Sequence, residues 1–297
     1  MYRRLVSAVK RALGLQRPGR NLEVFPDDVF IVSYPKSGNT WTRFLIANLL
    51  YPDKSPDFRN INELIPDPEA LSKRHLAKVS RPRIIKTHQY FHPSYRKIIF
   101  VVRDPRDVAV SLYYFQKKTR GYSDEFPIDQ HVKRFVSNVD PLYGSWGENV
   151  ASWLVTRGND PEFLLLRYED ILKDAAEELR KIADFLHIEP SPERLALAVE
   201  RSSADNMRKL ERVQALLWSS TKDTRQDIPF VRAAKSGNWR TELPQTCVIE
   251  IERAWGGIMH HLGYPLLCSQ VSGTNLNEIL DRRRLPTLHD GALQKMV

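Results

Sequence analysis

The residues best suited to chemistry stand at the junction of a β-branched run and a helical one: Pro35-Lys36-Ser37-Gly38-Asn39-Thr40. A helix start exposes unpaired N–H groups and the positive end of its dipole, so it favours an anion. Gly38 lets the backbone approach a ligand closely, Lys36 adds a full charge, and Ser37, Asn39 and Thr40 add short donors. A plain strand-to-helix turn also uses Gly and Asn, and is the bland alternative. The order is not that of a Walker A loop, because Lys36 precedes the only glycine. A magnesium-ligating hydroxyl is therefore not assured, and a kinase or ATPase is the weaker reading.

A second group is Lys86-Thr87-His88, at the end of a short apolar run. Side chains two apart on a strand share a face, so Lys86 and His88 should project together. Histidine is the usual general base near neutral pH, and a neighbouring cation steadies negative charge in a transition state. A strand-end histidine bonded to a carbonyl is the ordinary alternative. A third group is Arg103, followed eight residues later by Ser111. The arginine fork suits phosphate and the serine adds a donor; pairing of Arg103 with Asp104 or Asp107 is the competing possibility. No metal is expected. His88 and His92 are four apart, but Pro93 argues against a helical pair, and His260 and His261 are adjacent.

The elements that must position these groups alternate between short β-branched runs and longer helical patterns, which predicts a parallel sheet flanked by helices. Strands are expected over 29–34, 83–87, 97–103 and 162–167. Helices are expected over 41–50, from 104, and over 147–157, 174–186, 192–200, 204–217 and 244–261. Asp104 reads as an N-cap, Pro105 suits the first helical position, and Asp107 completes a capping-box arrangement. Residues 53–82 read as irregular with one short helix, and 221–240 as a polar loop.

The 297 residues suit one large α/β domain, and 42% hydrophobic with 27% charged residues provides a sizeable core. The net charge of +9 favours anionic ligands without choosing among them. Aromatics interleaved with a basic stripe are not evident, so nucleic acid is not an expected partner. Two cysteines, Cys247 and Cys268, make a disulfide scaffold unlikely and a reducing, cytoplasmic setting the plain reading. No run reaches the roughly 18 apolar residues of a membrane span. Residues 1–24 read as a basic helical extension capable of weak membrane-surface contact, 25–265 as the domain, and 266–297 as a tail.

The run Tyr34 to Trp41 closely resembles the 5′-phosphosulfate loop of the cytosolic sulfotransferases. The run Val102 to Ser111 resembles their 3′-phosphate motif, and Lys86-Thr87-His88 their catalytic strand. Arg167-Tyr168-Glu169-Asp170, Phe230-Val231-Arg232 and Gly237-Asn238-Trp239-Arg240 follow in the family's order, so the resemblance covers roughly residues 25 to 265.

The resemblance implies a P-loop NTPase-like sulfotransferase fold and the donor 3′-phosphoadenosine-5′-phosphosulfate (PAPS), without a metal. It implies that Lys36 sits on the phosphosulfate, cradled with Ser37, Gly38, Asn39 and Thr40. Trp41 would stack on adenine and Tyr168 approach it; Arg103, Ser111 and Arg232 would hold the 3′-phosphate. Lys86 would assist the sulfuryl group, and His88 would take a proton from a small acceptor: an alcohol, phenol, amine or sugar. The pattern is broken where the family has Arg-Lys-Gly, for this chain has Arg232-Ala233-Ala234; Lys235 offers a replacement charge ahead of Gly237. Ala204 stands where the family has an adenine-stacking aromatic. Tyr90, Phe91, Tyr113, Tyr114 and Phe115 are either acceptor-pocket walls or core. No family dimer motif is recognisable between Arg240 and Glu250, which leaves oligomeric state open.

Overall fold

The computed structural model describes residues 22–137 and 143–267. The expected helical extension over 1–24 and tail over 266–297 therefore lie almost wholly outside the described residues.

Four parallel strands, β1 (Val29–Ser33), β2 (Ile84–Thr87), β3 (Lys97–Val102) and β4 (Phe163–Arg167), form a sheet in the order β2-β1-β3-β4. Every residue of β1 is buried, as its unbroken apolar run requires when helices cover both faces. The period of two divides the core. Phe30, Val32, Ile98 and Phe100 face one apolar cluster, which includes Trp146, Trp153 and Trp239. Val29, Ile31, Ile99 and Val101 face the other, with Phe44, Leu45 and Leu179.

The helices are α1 (Asn39–Leu50), the one-turn α2 (Ile61–Leu64) and α3 (Lys73–Leu76), α4 (Pro105–Lys118), α5 (Ile128–Val136) and α6 (Trp146–Arg157). They continue with α7 (Tyr168–Lys173), α8 (Ala175–Phe185), α9 (Pro192–Arg201), α10 (Ala204–Gln214), α11 (Trp239–Glu242) and α12 (Gln245–His261). The strand order matters for position. From β1 the chain moves to one side to make β2, then to the other to make β3, so the carboxyl end of β1 is a topological switch point, where α/β sheets open a ligand crevice.

Several elements depart from the sequence reading. Strands β1 and β3 each stop one residue early, and β2 and β4 start one residue late. Helices α5 and α7 were not expected, and α11 closes the segment read as a polar loop. Residues 53–82 hold a 3-10 turn (Pro52–Lys54) with α2 and α3 rather than one short helix. The capping box on α4 is a correction. Asp104 caps it by accepting from the Arg106 N–H, and Pro105 takes the first turn, but the Asp104 N–H donates to Glu169 at 3.0 Å. Asp107 instead turns away and accepts from the N–H groups of Gly237 at 2.7 Å and Trp239 at 3.1 Å, tying α4 to α11.

Candidate active site

Each strand delivers its chemistry at the carboxyl end. Behind β1, Lys36 adopts φ 68° and Gly38 φ 100°, both left-handed, so the loop folds sharply before α1. A β-carbon on Gly38 would stand 2.5 Å from the Tyr168 ring, which fixes glycine there by space as well as by backbone angle. The Asn39 amide donates to the Ile31 carbonyl at 3.2 Å and to the Ser33 hydroxyl at 3.1 Å, locking helix start to strand end. Ser37 is fully buried, and its hydroxyl has no hydrogen-bond partner among the described residues. An orphaned donor inside an anion-type loop is a cost unless a ligand supplies the missing acceptor.

The cations of this end rest on rings and carbonyls. The Lys36 ammonium lies over Phe115 at 4.3 Å and Phe230 at 4.1 Å. Burial, and then the nearby Arg103 charge, lowers its pKa to about 7. Arg103, just past β3, donates to the carbonyls of Lys36 at 3.2 Å and Lys235 at 3.0 Å, and its guanidinium lies 4.3 Å over Tyr168. Its Nε is buried and unpartnered among the described residues. The competing pairing of Arg103 with Asp104 or Asp107 does not occur, because Arg106 takes Asp104 at 2.6 Å and the Gly237 and Trp239 N–H groups take Asp107. Arg103 is therefore held by carbonyls alone, with no carboxylate to neutralise its charge before a ligand arrives.

At the other end stands His88, one residue beyond β2. Its Nδ1 lies 2.7 Å from the Ser33 carbonyl, and a carbonyl can only accept, so Nδ1 carries the proton and Nε2 keeps a lone pair. Burial first, and the Lys86 charge second, holds the imidazole pKa well below its ordinary range, so the ring is neutral near pH 7. The Lys86 ammonium is 3.0 Å from Asp67 and 3.8 Å from Glu69. Tyr143 donates to Glu69 at 2.7 Å and sets its ring 5.5 Å from that of His88.

One cavity of about 610 Å³ joins the two ends. Of the residues singled out in the sequence, Lys36, Gly38, Asn39, Thr40, Trp41, Lys86, His88, Arg103, Ser111, Tyr168 and Arg232 line it. Ser37, Lys235 and Gly237 are not in the wall. Ser37 lies behind it, the Lys235 side chain is exposed while its carbonyl serves Arg103, and the Gly237 N–H is committed to Asp107. Arg232 pairs with Glu242 at 2.9 Å and stacks on Tyr114 at 4.2 Å. Among the five aromatics left open in the sequence, only Phe115 reaches the wall.

The sequence reading missed Asp67, Glu69, Leu172, Met207 and Trp218, all in the wall. None belongs to a motif with a local signature. Leu172 and Met207 supply apolar surface beside Ala204, near the Trp41 and Tyr168 rings, which meet edge to face at 5.7 Å. Ala234 holds φ 49°, a left-handed conformation that a glycine would adopt more freely.

A sulfotransferase-domain family model matches residues 26–263. The chain belongs to the sulfotransferase family. Human sulfotransferase 1E1 is 30% identical over 242 residues, covering 75% of this chain and 81% of that one. The guinea-pig (Cavia porcellus) 3-beta-hydroxysteroid sulfotransferase is 29% identical over 249 residues, covering 80% and 85%. The fold is shared with mouse sulfotransferase SULT7A1, solved with PAP (TM-score 0.65, 24% identity, 80% and 85% covered). It is shared equally with retinol dehydratase solved with androsterone and PAP (TM-score 0.66, 24% identity, 84% of each chain). Family membership makes this chain a transferase of sulfuryl groups that draws on a nucleotide sulfate donor. No helix among the described residues is long and apolar enough to cross a membrane.

Proposed function

We propose that the enzyme moves the sulfuryl group of PAPS to a hydroxyl or amine of a small acceptor, in line, with His88 as the general base. The observation that carries this reading is the pairing, in one cavity, of an uncharged imidazole with a lone pair on Nε2 and the two cations Lys36 and Arg103, which rest on rings and carbonyls rather than on carboxylates. The residues fit the donor's chemistry. Lys36, Thr40 and the N–H groups at the start of α1 suit the 5′-phosphosulfate, Arg103, Ser111 and Arg232 the 3′-phosphate, and Trp41, Tyr168, Leu172 and Met207 the adenine.

In the transfer, His88 Nε2 takes the proton as the acceptor oxygen or nitrogen forms its bond to sulfur. The bond from sulfur to the bridging oxygen breaks, and its electron pair leaves with the 5′-phosphate of PAP. Lys36 and Lys86 face the charge that spreads over the sulfuryl and bridging oxygens, and cations already held in place steady it at little reorganisation cost. Arg232 must exchange Glu242 for phosphate or share it.

The test is a panel of alcohols, phenols, amines and sugars offered with sulfur-labelled PAPS and followed by mass. Acquisition of about 80 mass units by one class, the mass of SO3, without added metal supports the reading. Transfer that requires ATP and magnesium instead would replace it with phosphoryl transfer.

A further inference from the structure

Residues 65–70, which carry no motif, run along the reacting end of the cavity and are tied there at three points. The Lys86 N–H donates to the Pro66 carbonyl at 2.9 Å, so this segment pairs with the free edge of β2. Arg43, on α1 and buried, donates to the carbonyls of Ile65 at 2.5 Å and Ile61 at 3.3 Å and to the Asn62 side chain at 2.8 Å. The Asp67 carboxylate itself accepts from the Glu69 N–H at 3.0 Å through one oxygen and from the Lys86 ammonium at 3.0 Å through the other. Both side chains of the ion pair are about nine-tenths buried.

That arrangement is rigid and costly. A buried ion pair gives up hydration on both partners and contributes little net stability over apolar packing. Here it lies in a cavity wall beside the proposed base. An unpaired ammonium at that spot would bend toward bulk water and would also repel a proton arriving on His88. The charged and polar groups around His88 are Ser33 from β1, Lys36 from the loop after it, Lys86 from β2, Asp67 from the tethered segment, Tyr143 with its Glu69 partner, and Asn149 from α6, whose amide donates to the His88 carbonyl at 3.1 Å. Two of these are cations that disfavour imidazolium, and Asp67 is the carboxylate that opposes them.

We propose that Asp67 is a positioning residue for sulfuryl transfer: its carboxylate holds the Lys86 ammonium at the reacting end of the cavity and offsets that charge beside His88. Asp67 touches neither substrate in this account and acts through Lys86. The proposal rests on the transfer mechanism above, and the experiment keeps the two apart.

The experiment compares wild type, Asp67→Asn, Asp67→Glu, Lys86→Met and the Asp67→Asn/Lys86→Met double variant in PAPS turnover with the best acceptor of the panel. The expected result is a kcat about 10-fold or more lower in Asp67→Asn, with KM for PAPS and affinity for PAP changed by less than about threefold, and with Asp67→Glu recovering part of the loss. In the Lys86→Met background the same Asp67→Asn change should cost less than about twofold, because the cation it serves is gone. The acid limb of the kcat profile should shift in Asp67→Asn and return toward the wild-type position in Asp67→Glu. Equal loss in both backgrounds, or an unshifted profile, overturns the proposal and makes Asp67 structural. Should Asp67→Asn fail to fold, the Asp67→Glu profile decides, since a retained carboxylate must keep the wild-type acid limb. Absence of sulfate transfer in the wild type itself would instead refute the transferase reading.

Discussion

The two ends of the cavity are built on opposite principles. Around Lys36 and Arg103 the cations lean on rings and carbonyls, and donors such as the Ser37 hydroxyl and Arg103 Nε are left without partners among the described residues. Around His88 every charge is already answered: Lys86 by Asp67, Glu69 by Tyr143, and the imidazole N–H by Ser33. The first end is poised for an anion that brings its own charge, and stays electrostatically incomplete without one. The second end is complete in itself and is suited to a neutral attacking group that must lose a proton without gaining a competing counter-ion. A transferase needs that asymmetry, because its donor is recognised by charge and its acceptor by where the proton goes.

Breaking the complete end should have the largest effect. His88→Ala is expected to lower kcat by ~10²–10⁴-fold while PAP affinity, measured by calorimetry, stays within about threefold. A large loss of PAP affinity in that variant would mean that the two ends are not separable.

The incomplete end should announce itself in pH. With its pKa lowered to about 7, Lys36 is protonated below that value and loses its proton as pH rises through it. PAP should therefore bind with a constant Kd on the acid side and weaken by up to about tenfold per pH unit on the alkaline side, with proton uptake on binding. Lys36→Met should flatten the profile, and a wild-type Kd independent of pH from 6 to 9 would show that burial and the Arg103 charge do not depress the ammonium. The imidazole runs the other way. Burial resists its protonation, so the acid limb of kcat should lie below the ordinary histidine range near ~6.5.

The smallest effect concerns the loop that closes over Arg103. Ala234 pays for a left-handed conformation that glycine adopts freely. Ala234→Gly should relieve about 1–2 kcal/mol of strain against roughly 0.4–1 kcal/mol of added chain entropy in the unfolded state, for a net Tm rise of about 1–3 °C. A lower Tm would mean that the alanine side chain contributes packing that outweighs its strain.

The same asymmetry governed what could be read from the chain. The loop after β1, the histidine after β2 and the arginine after β3 are local patterns at strand ends, and the apolar runs that place them are equally local. Their sites could be located before any tertiary contact was known. Asp67 and Glu69 could not, since they come from a proline-rich stretch without periodicity, and only the bonds from Arg43 and Lys86 bring them to the cavity. Helix α5 escaped because its N-cap is Pro127 and no side-chain cap marks its start. Helix α7 begins directly at the end of β4, with Arg167 as an N-cap that makes no side-chain bond. Asp107 was misassigned for a related reason: three residues after an N-cap, a carboxylate looks like a cap partner, and only the approach of Gly237 and Trp239 gives it another task.

The pairing of Pro66 with Lys86 reaches beyond catalysis. Strand β2 ends the sheet, and an uncovered sheet border invites strands from other molecules. By laying a carbonyl across that border, the stretch that supplies Asp67 also takes the Lys86 N–H out of reach of a foreign strand.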